Sequence, residues 1–134
     1  LLKTISGLKD NSLQPHDQDE TCVTFAPMIK KEDGLVDWTQ PALSIERRIR
    51  AFTPWPSAYT HLPNGKLLKI HRAKPIQTNR SGTPGEIVRA DSGGFWVATG
   101  NGTLSLEEVQ LENKKRVPGV EFIKGARFAA GDHL

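Results

Sequence analysis

The sequence predicts a mainly β domain, a small barrel of five to six strands with a short N-terminal α-helix packed on it. Three observations carry this. From residue 58 onward, short alternating apolar runs are separated by compact turns rich in Gly and Asn. Ahead of them, residues 41–52 repeat apolar side chains at helical spacing and end in a proline-rich corner. A hydrophobic content of 37%, with three Trp and five Phe in 134 residues, supports one real core rather than disorder.

The helix is read within Gly34 to Tyr59. Thr39 or Gln40 is expected to cap it, and Pro41 falls in the first turn, where a missing N–H is tolerated. Ala42, Ile45, Ile49 and Phe52 make one apolar stripe, with Glu46, Arg47 and Arg50 opposite. Pro54 and Pro56 stop the helix and hold Trp55 between two residues of fixed φ. Trp38, Trp55 and Trp96 are all expected in the core, as large aromatics that fill small barrels.

Strand signals then follow closely. Ala58 to Leu62 gives a first strand, and Pro63-Asn64-Gly65 a tight turn. Lys66 to Ile76 is a long strand, with Leu68 and Ile70 on one face and Lys69 and His71 on the other. A loop over Gln77 to Gly85 leads into Glu86 to Ala90, and Asp91-Ser92-Gly93-Gly94 turns into Phe95 to Thr99. Gly100-Asn101-Gly102 turns again, into Thr103 to Leu111 with Leu104 and Leu106 inward. Asn113 to Arg116 reads as a basic loop, and Pro118 to Lys124 as a helical turn with Val120 and Ile123 inward. Closing such a meander hides its edges.

The lead-in is different in character. Leu1, Leu2, Ile5 and Leu8 share one helical face, expected to be the end of a helix that belongs to something larger, frayed or buried against a neighbour. Residues 10–26 are polar enough for an extended linker, with a short strand over Thr21 to Phe25. Lys30-Lys31-Glu32-Asp33-Gly34 is a charged turn whose lysines are solvated.

Charge divides the chain in the same place. Residues 1–40 carry four lysines against seven acids, a net −3, and residues 41–134 carry 14 Lys and Arg against eight acids, a net +6. A basic domain on an acidic tether favours a polyanionic partner. No apolar run approaches the length of a membrane span, and no basic flank with a continuous apolar stretch marks a signal peptide. The single Cys22 excludes an internal disulfide and a cysteine zinc site, which fits a reducing cytoplasm.

The string D-W-x-x-x-A-x-x-I-x-R-x-I-R-A-F-x-P-W-P-x-A-Y, from Asp37 to Tyr59, resembles the start of the C-terminal domain of the methionyl-tRNA formyltransferase family. The likeness runs upstream through Gln18-Asp19-Glu20 and Ala26 to Gly34. Downstream it reaches Lys114-Lys115-Arg116 and the closing Pro-Gly-Val-Glu-Phe-Ile-Lys-Gly-Ala-Arg, so it covers nearly the whole chain. It implies an OB-like barrel at residues 37–134, preceded over 1–36 by the end of a catalytic domain and an interdomain linker. It also implies that the family's catalytic Asn, His and Asp, and its pocket for 10-formyltetrahydrofolate, lie in an N-terminal formyltransferase domain. No catalytic residue, metal ligand or resident cofactor is therefore assigned here. Initiator methionyl-tRNA and that N-terminal domain are the implied partners.

The residues themselves agree that no chemistry is housed here. His16, His61, His71 and His133 show no metal spacing, and no nucleophile elbow or phosphate loop occurs. Glu107-Glu108 are adjacent strand residues, expected on opposite faces. What remains is electrostatic. Lys114, Lys115 and Arg116 cluster, and Lys124 and Arg127 follow, as long cations that can reach separate backbone oxygens. By resemblance, this loop and the C-terminal basic residues face the inside of the L-shaped tRNA. Arg47, Arg48 and Arg50 are a second basic group, with Arg50 expected to brace Trp55, Tyr59 or Asp37. For base stacking only Tyr59, Phe95 and Trp96 are available, so recognition of folded RNA through its backbone is the better expectation.

Two other readings compete. One is the matching domain of a related formyltransferase, or of a formyltetrahydrofolate hydrolase, which has no use for a basic RNA-facing loop. The other is a free-standing nucleic-acid-binding barrel, against which stand the orphan helix at Leu1 and the acidic tether.

Overall fold

The computed structural model describes residues 1–14, 16–78, 82–126 and 128–134. Its elements are α1 (Leu2–Lys9), α2 (Ala42–Ala51), β1 (Ala58–His61), β2 (Leu67–Ile76), β3 (Ile87–Asp91), β4 (Gly94–Ala98), β5 (Thr103–Leu111), β6 (Arg116–Pro118) and α3 (Gly119–Ala126). The strands form one antiparallel sheet in the order β1-β2-β5-β4-β3, with β6 pairing the free half of β5. The mainly β class with a packed helix is as expected; β6 is the addition, and Arg116 opens it rather than ending a loop.

Both ends of this path are covered. Val36 N donates to Tyr59 O at 2.8 Å, so the lead-in lines the outer edge of β1. Along β3, Ile87 N donates to Asp132 O at 2.7 Å and Gly131 N to Ile87 O at 2.8 Å, so the C-terminal tail lines that edge. Covered edges remove the template for pairing with another chain.

Helix α2 is started by Asp37, not by a capping side chain. The Asp37 carboxylate accepts from Thr39 Oγ1 at 2.6 Å, Thr39 N at 3.0 Å and Gln40 Nε2 at 3.0 Å. These bonds, the Thr39 hydroxyl first, hold the Asp37 carboxyl below its usual pKa. Neither Thr39 nor Gln40 caps the helix. Pro41 stands at the cap, and its carbonyl accepts from Ser44 N and Ile45 N. The first helical N–H, on Ala42, donates to Asn101 O in the β4–β5 turn at 3.0 Å. That turn must touch the lead-in closely. A Cβ on Gly100 would stand 1.7 Å from Thr39 O, which is why only glycine fits there.

The core gathers Ala42, Ile45 and Ile49 of α2 with Leu68, Ile70, Phe95, Val97, Leu104, Leu106 and Val109 of the sheet. Each large aliphatic buried this way is worth about 1.5–3 kcal/mol. Phe52, the last of the stripe, is half-buried beneath the Arg48 guanidinium, 5.2 Å from its ring centroid.

Three expectations need correction. Of the three tryptophans only Trp38 is in the core; Trp96 is half-buried and Trp55 is 61% exposed, because the proline corner turns it outward. Thr21 to Phe25 is not a strand: Asp19 accepts from Thr21 N and Thr21 Oγ1 and winds Glu20–Cys22 into a 3-10 turn. In α3 the inward residues are Phe122, which packs on Phe95, and Ile123, while Val120 faces out. Helix α1 spans eight residues, with Leu2, Ile5 and Leu8 exposed as expected of an unpartnered face.

Candidate nucleic-acid interface

In an antiparallel sheet, directly opposed residues share a face. Register therefore places Tyr59, Lys69, Gln110 and Arg116 in one outward row across β1, β2, β5 and β6. A second row, Lys74, Ser105, Trp96 and Arg89, crosses β2, β5, β4 and β3. Between them the register of β2 on β5 shifts twice, around His71 and around Glu107. The shift leaves both Glu107 and Glu108 half-exposed instead of on opposite faces. Each then meets its own cation: Glu107 with Arg72 at 2.9 Å, Glu108 with Arg116 at 3.6 Å.

The arginines of this face are thus engaged. Arg89 is also taken, by Asp91 at 2.7 Å, and its guanidinium lies 4.6 Å from the Trp96 ring centroid. Among the described residues no carboxylate pairs with Lys69, Lys74, Lys114 or Lys115. Free lysines at the surface keep their charge available to phosphate at little desolvation cost.

Lys114 and Lys115 stand on the β5–β6 turn, both exposed. Asn113, in the left-handed region at φ 59, makes that turn, closed by Lys114 N donating to Leu111 O at 3.0 Å. Gln110 Nε2 donates to Lys114 O at 2.9 Å, which fixes the turn to the sheet. The two lysines edge a groove of about 470 Å³ whose walls are Leu111, Val117 and the Phe122–Ala126 side of α3. Lys124 is exposed on α3 but does not line the groove, and Arg127 lies outside the described residues.

The second basic group does not act together. Arg48 donates to Asp33 O and stacks on Phe52, tying α2 to the Lys31–Gly34 turn. Arg50 pairs with Glu46 at 2.9 Å, an i,i+4 contact along the helix. Arg50 thus pairs with Glu46 rather than bracing Trp55, Tyr59 or Asp37, and Arg48, two residues earlier, braces the Asp33 backbone and Phe52. Arg47 is exposed, with no ion pair among the described residues. Of the stacking candidates, Phe95 is fully buried and Tyr59 packs edge-on against His61 at 5.7 Å.

Sequence reasoning missed the β2 contribution of Lys69, Arg72 and Lys74. Strict alternation places Lys69 outward but Arg72 and Lys74 on the face of Leu68 and Ile70, and only the register shift around His71 turns them out. His71 sits among them. Its Nε2 meets Gln110 Oε1 at 2.9 Å, and burial pushes its pKa down despite that contact. Among the described residues no three His, Cys, Asp or Glu gather as a metal site.

The formyl transferase C-terminal domain model matches residues 28–127. The chain belongs to that family. Over 98% of its length it is 42% identical to a methionyl-tRNA formyltransferase of Geobacter sulfurreducens, and over all of it 44% identical to one of Bacillus licheniformis. It spans only about two fifths of those relatives, 41% and 42% of their length. The fold also matches HypX from Aquifex aeolicus, at a TM-score of 0.62 and 19% identity over 98% of this chain and 23% of HypX. A second HypX structure, in complex with tetrahydrofolic acid, matches at a TM-score of 0.58 and 20% identity over 91% of this chain and 22% of HypX.

Proposed function

We propose that this chain is the tRNA-positioning part of a methionyl-tRNA formyltransferase. The observation that carries the proposal is the exposed, unpaired Lys114-Lys115 turn on a domain that resembles methionyl-tRNA formyltransferases along its whole length. The parent enzyme would move a formyl group from 10-formyltetrahydrofolate to the α-amine of initiator methionyl-tRNA, in the cytoplasm. That chemistry belongs to a formyltransferase domain elsewhere in the polypeptide. Residues 1–36 would be the end of that domain and the linker, with Leu35 and Val36 already seated on the edge of β1. Residues 37–134 would hold the RNA.

The mechanism is one of placement. Lys114, Lys115, Lys69 and Lys74 neutralise backbone phosphates, with Lys124, Arg127 and Arg47 as further contacts. Such contacts carry little sequence information but fix orientation. Binding energy realised far from the reacting atoms then brings the aminoacyl end to the donor, which accelerates reaction without chemistry.

Filter binding of the 134-residue chain to initiator tRNA across a salt series tests this. The expected result is weak affinity whose logarithm falls linearly with log salt concentration. Absence of binding at low salt would overturn it, and would favour the reading as the matching domain of a related formyltransferase.

A further inference from the structure

The groove beside Lys114 and Lys115 has features that phosphate binding alone does not require. Its floor is apolar, made by Leu111, Val117 and Phe122, where surface lysines gripping a backbone need no floor. Its rim carries two cations and, opposite them on α3, the Glu121 carboxylate. Its far wall holds a glycine that the chain's own structure does not explain. Gly125 is helical, outside the left-handed region, and a Cβ there would meet nothing within 4 Å. Gly119, at the start of the same helix, is the contrast: a Cβ there would lie 2.0 Å from Leu106 O. Gly119 is demanded by packing within the chain. Gly125 is a poor helix former on the groove wall, where a side chain would enter open space.

A ligand suited to this site is flat, apolar on its faces, anionic at one end and able to donate a hydrogen bond at its edge. A nucleotide has all four properties. We propose that the α3 groove receives one unstacked nucleotide of the bound RNA. Its phosphate lies on Lys114 and Lys115, its base lies against Leu111, Val117 and Phe122, and a base N–H donates to Glu121. Folded RNAs present such nucleotides in loops and at strand ends, where splayed bases are read on their edges. This inference rests on the tRNA reading above, and it adds a base contact to a surface otherwise reading only phosphates.

The test compares wild type with G125L and G125A in initiator-tRNA binding, alongside thermal unfolding. Both substitutions replace a helical glycine in open space, so Tm should hold or rise. Leucine fills the groove. Affinity for tRNA should fall about tenfold in G125L, the loss of one base contact, with the salt slope unchanged because no phosphate contact is removed. The alanine variant should fall less. Wild-type affinity in a folded G125L overturns the groove proposal while leaving the tRNA reading intact. No binding by wild type overturns that reading, and the groove proposal with it. Should G125L fail to fold, amide shifts of the wild-type chain on titration with adenosine 5′-monophosphate decide the matter. Shifts confined to the groove lining, Lys114, Lys115, Glu121, Phe122 and Gly125 among it, support the site, and shifts scattered elsewhere or absent overturn it.

Discussion

Trp38 Nε1 donates to Thr60 Oγ1 at 3.3 Å, with both residues buried. This bond links the segment ahead of α2 to the first strand, and it satisfies the one polar atom of the only tryptophan in the core. Replacing Thr60 with Val keeps the shape and removes the acceptor. An unpartnered buried N–H should cost about 1–3 kcal/mol, read as a lower urea midpoint with unchanged m-value.

Gly100 makes a second prediction at the same junction. Its N–H donates to Trp38 O at 2.9 Å, and an added methyl would collide with Thr39 O, which is backbone and cannot rotate away. Gly100→Ala should lose at least about 2 kcal/mol of stability, as overpacking against a fixed group does. Gly125→Ala, in open space, should lose none.

The two helix arginines should separate in a double comparison. Arg50→Ala removes one exposed i,i+4 pair with Glu46, worth about 0.3–0.5 kcal/mol. Arg48→Ala removes the hydrogen bond to Asp33 O and the cation over Phe52, and should cost about 1–2 kcal/mol. Equal losses in chemical denaturation would contradict the roles assigned to them.

Much of this fold was legible because its signals are local. The stripe of Ala42, Ile45 and Ile49, the Asn64-Gly65 turn and the alternation of Leu104 and Leu106 each follow from spacing of two or of three and four. What was not legible is set by tertiary partners. Trp55 looks like a core residue in sequence, and only the direction of the proline corner decides that it faces water. Residues 116–118 form a strand solely because β4 leaves half of β5 unpaired. In the site, the exposure of Lys114 and Lys115 could be read from a charged turn. That Arg72, Arg89 and Arg116 are engaged while Lys69 and Lys74 are free depends on cross-strand register and on the bulges in β2 and β5.

His71 gives a pH dependence with a definite sign. Burial lowers its folded pKa below the ordinary value of 6.5. The unfolded chain therefore takes up the proton first as pH falls. The contribution of His71 is fully present above about pH 6.5 and is lost as pH drops through that value toward the lower folded pKa. Stability measured from pH 8 to pH 5 should fall for wild type, and His71→Gln should remove that part of the slope. A flat difference between the two would contradict the burial argument.

The division between free lysines and engaged arginines also predicts RNA behaviour. Lys69→Ala and Lys74→Ala should each weaken tRNA binding and lower the salt slope by about one phosphate contact. Arg72→Ala should do less, since its guanidinium already answers Glu107 at 2.9 Å. Measuring the three slopes side by side checks the assignment.

The most direct test is the salt dependence of initiator-tRNA affinity in the Lys114→Ala, Lys115→Ala double variant. If these two exposed cations hold separate phosphates, the slope of log affinity against log salt should flatten by about two contacts while the fold is unchanged. A slope and affinity indistinguishable from wild type would show that the β5–β6 turn does not hold the RNA.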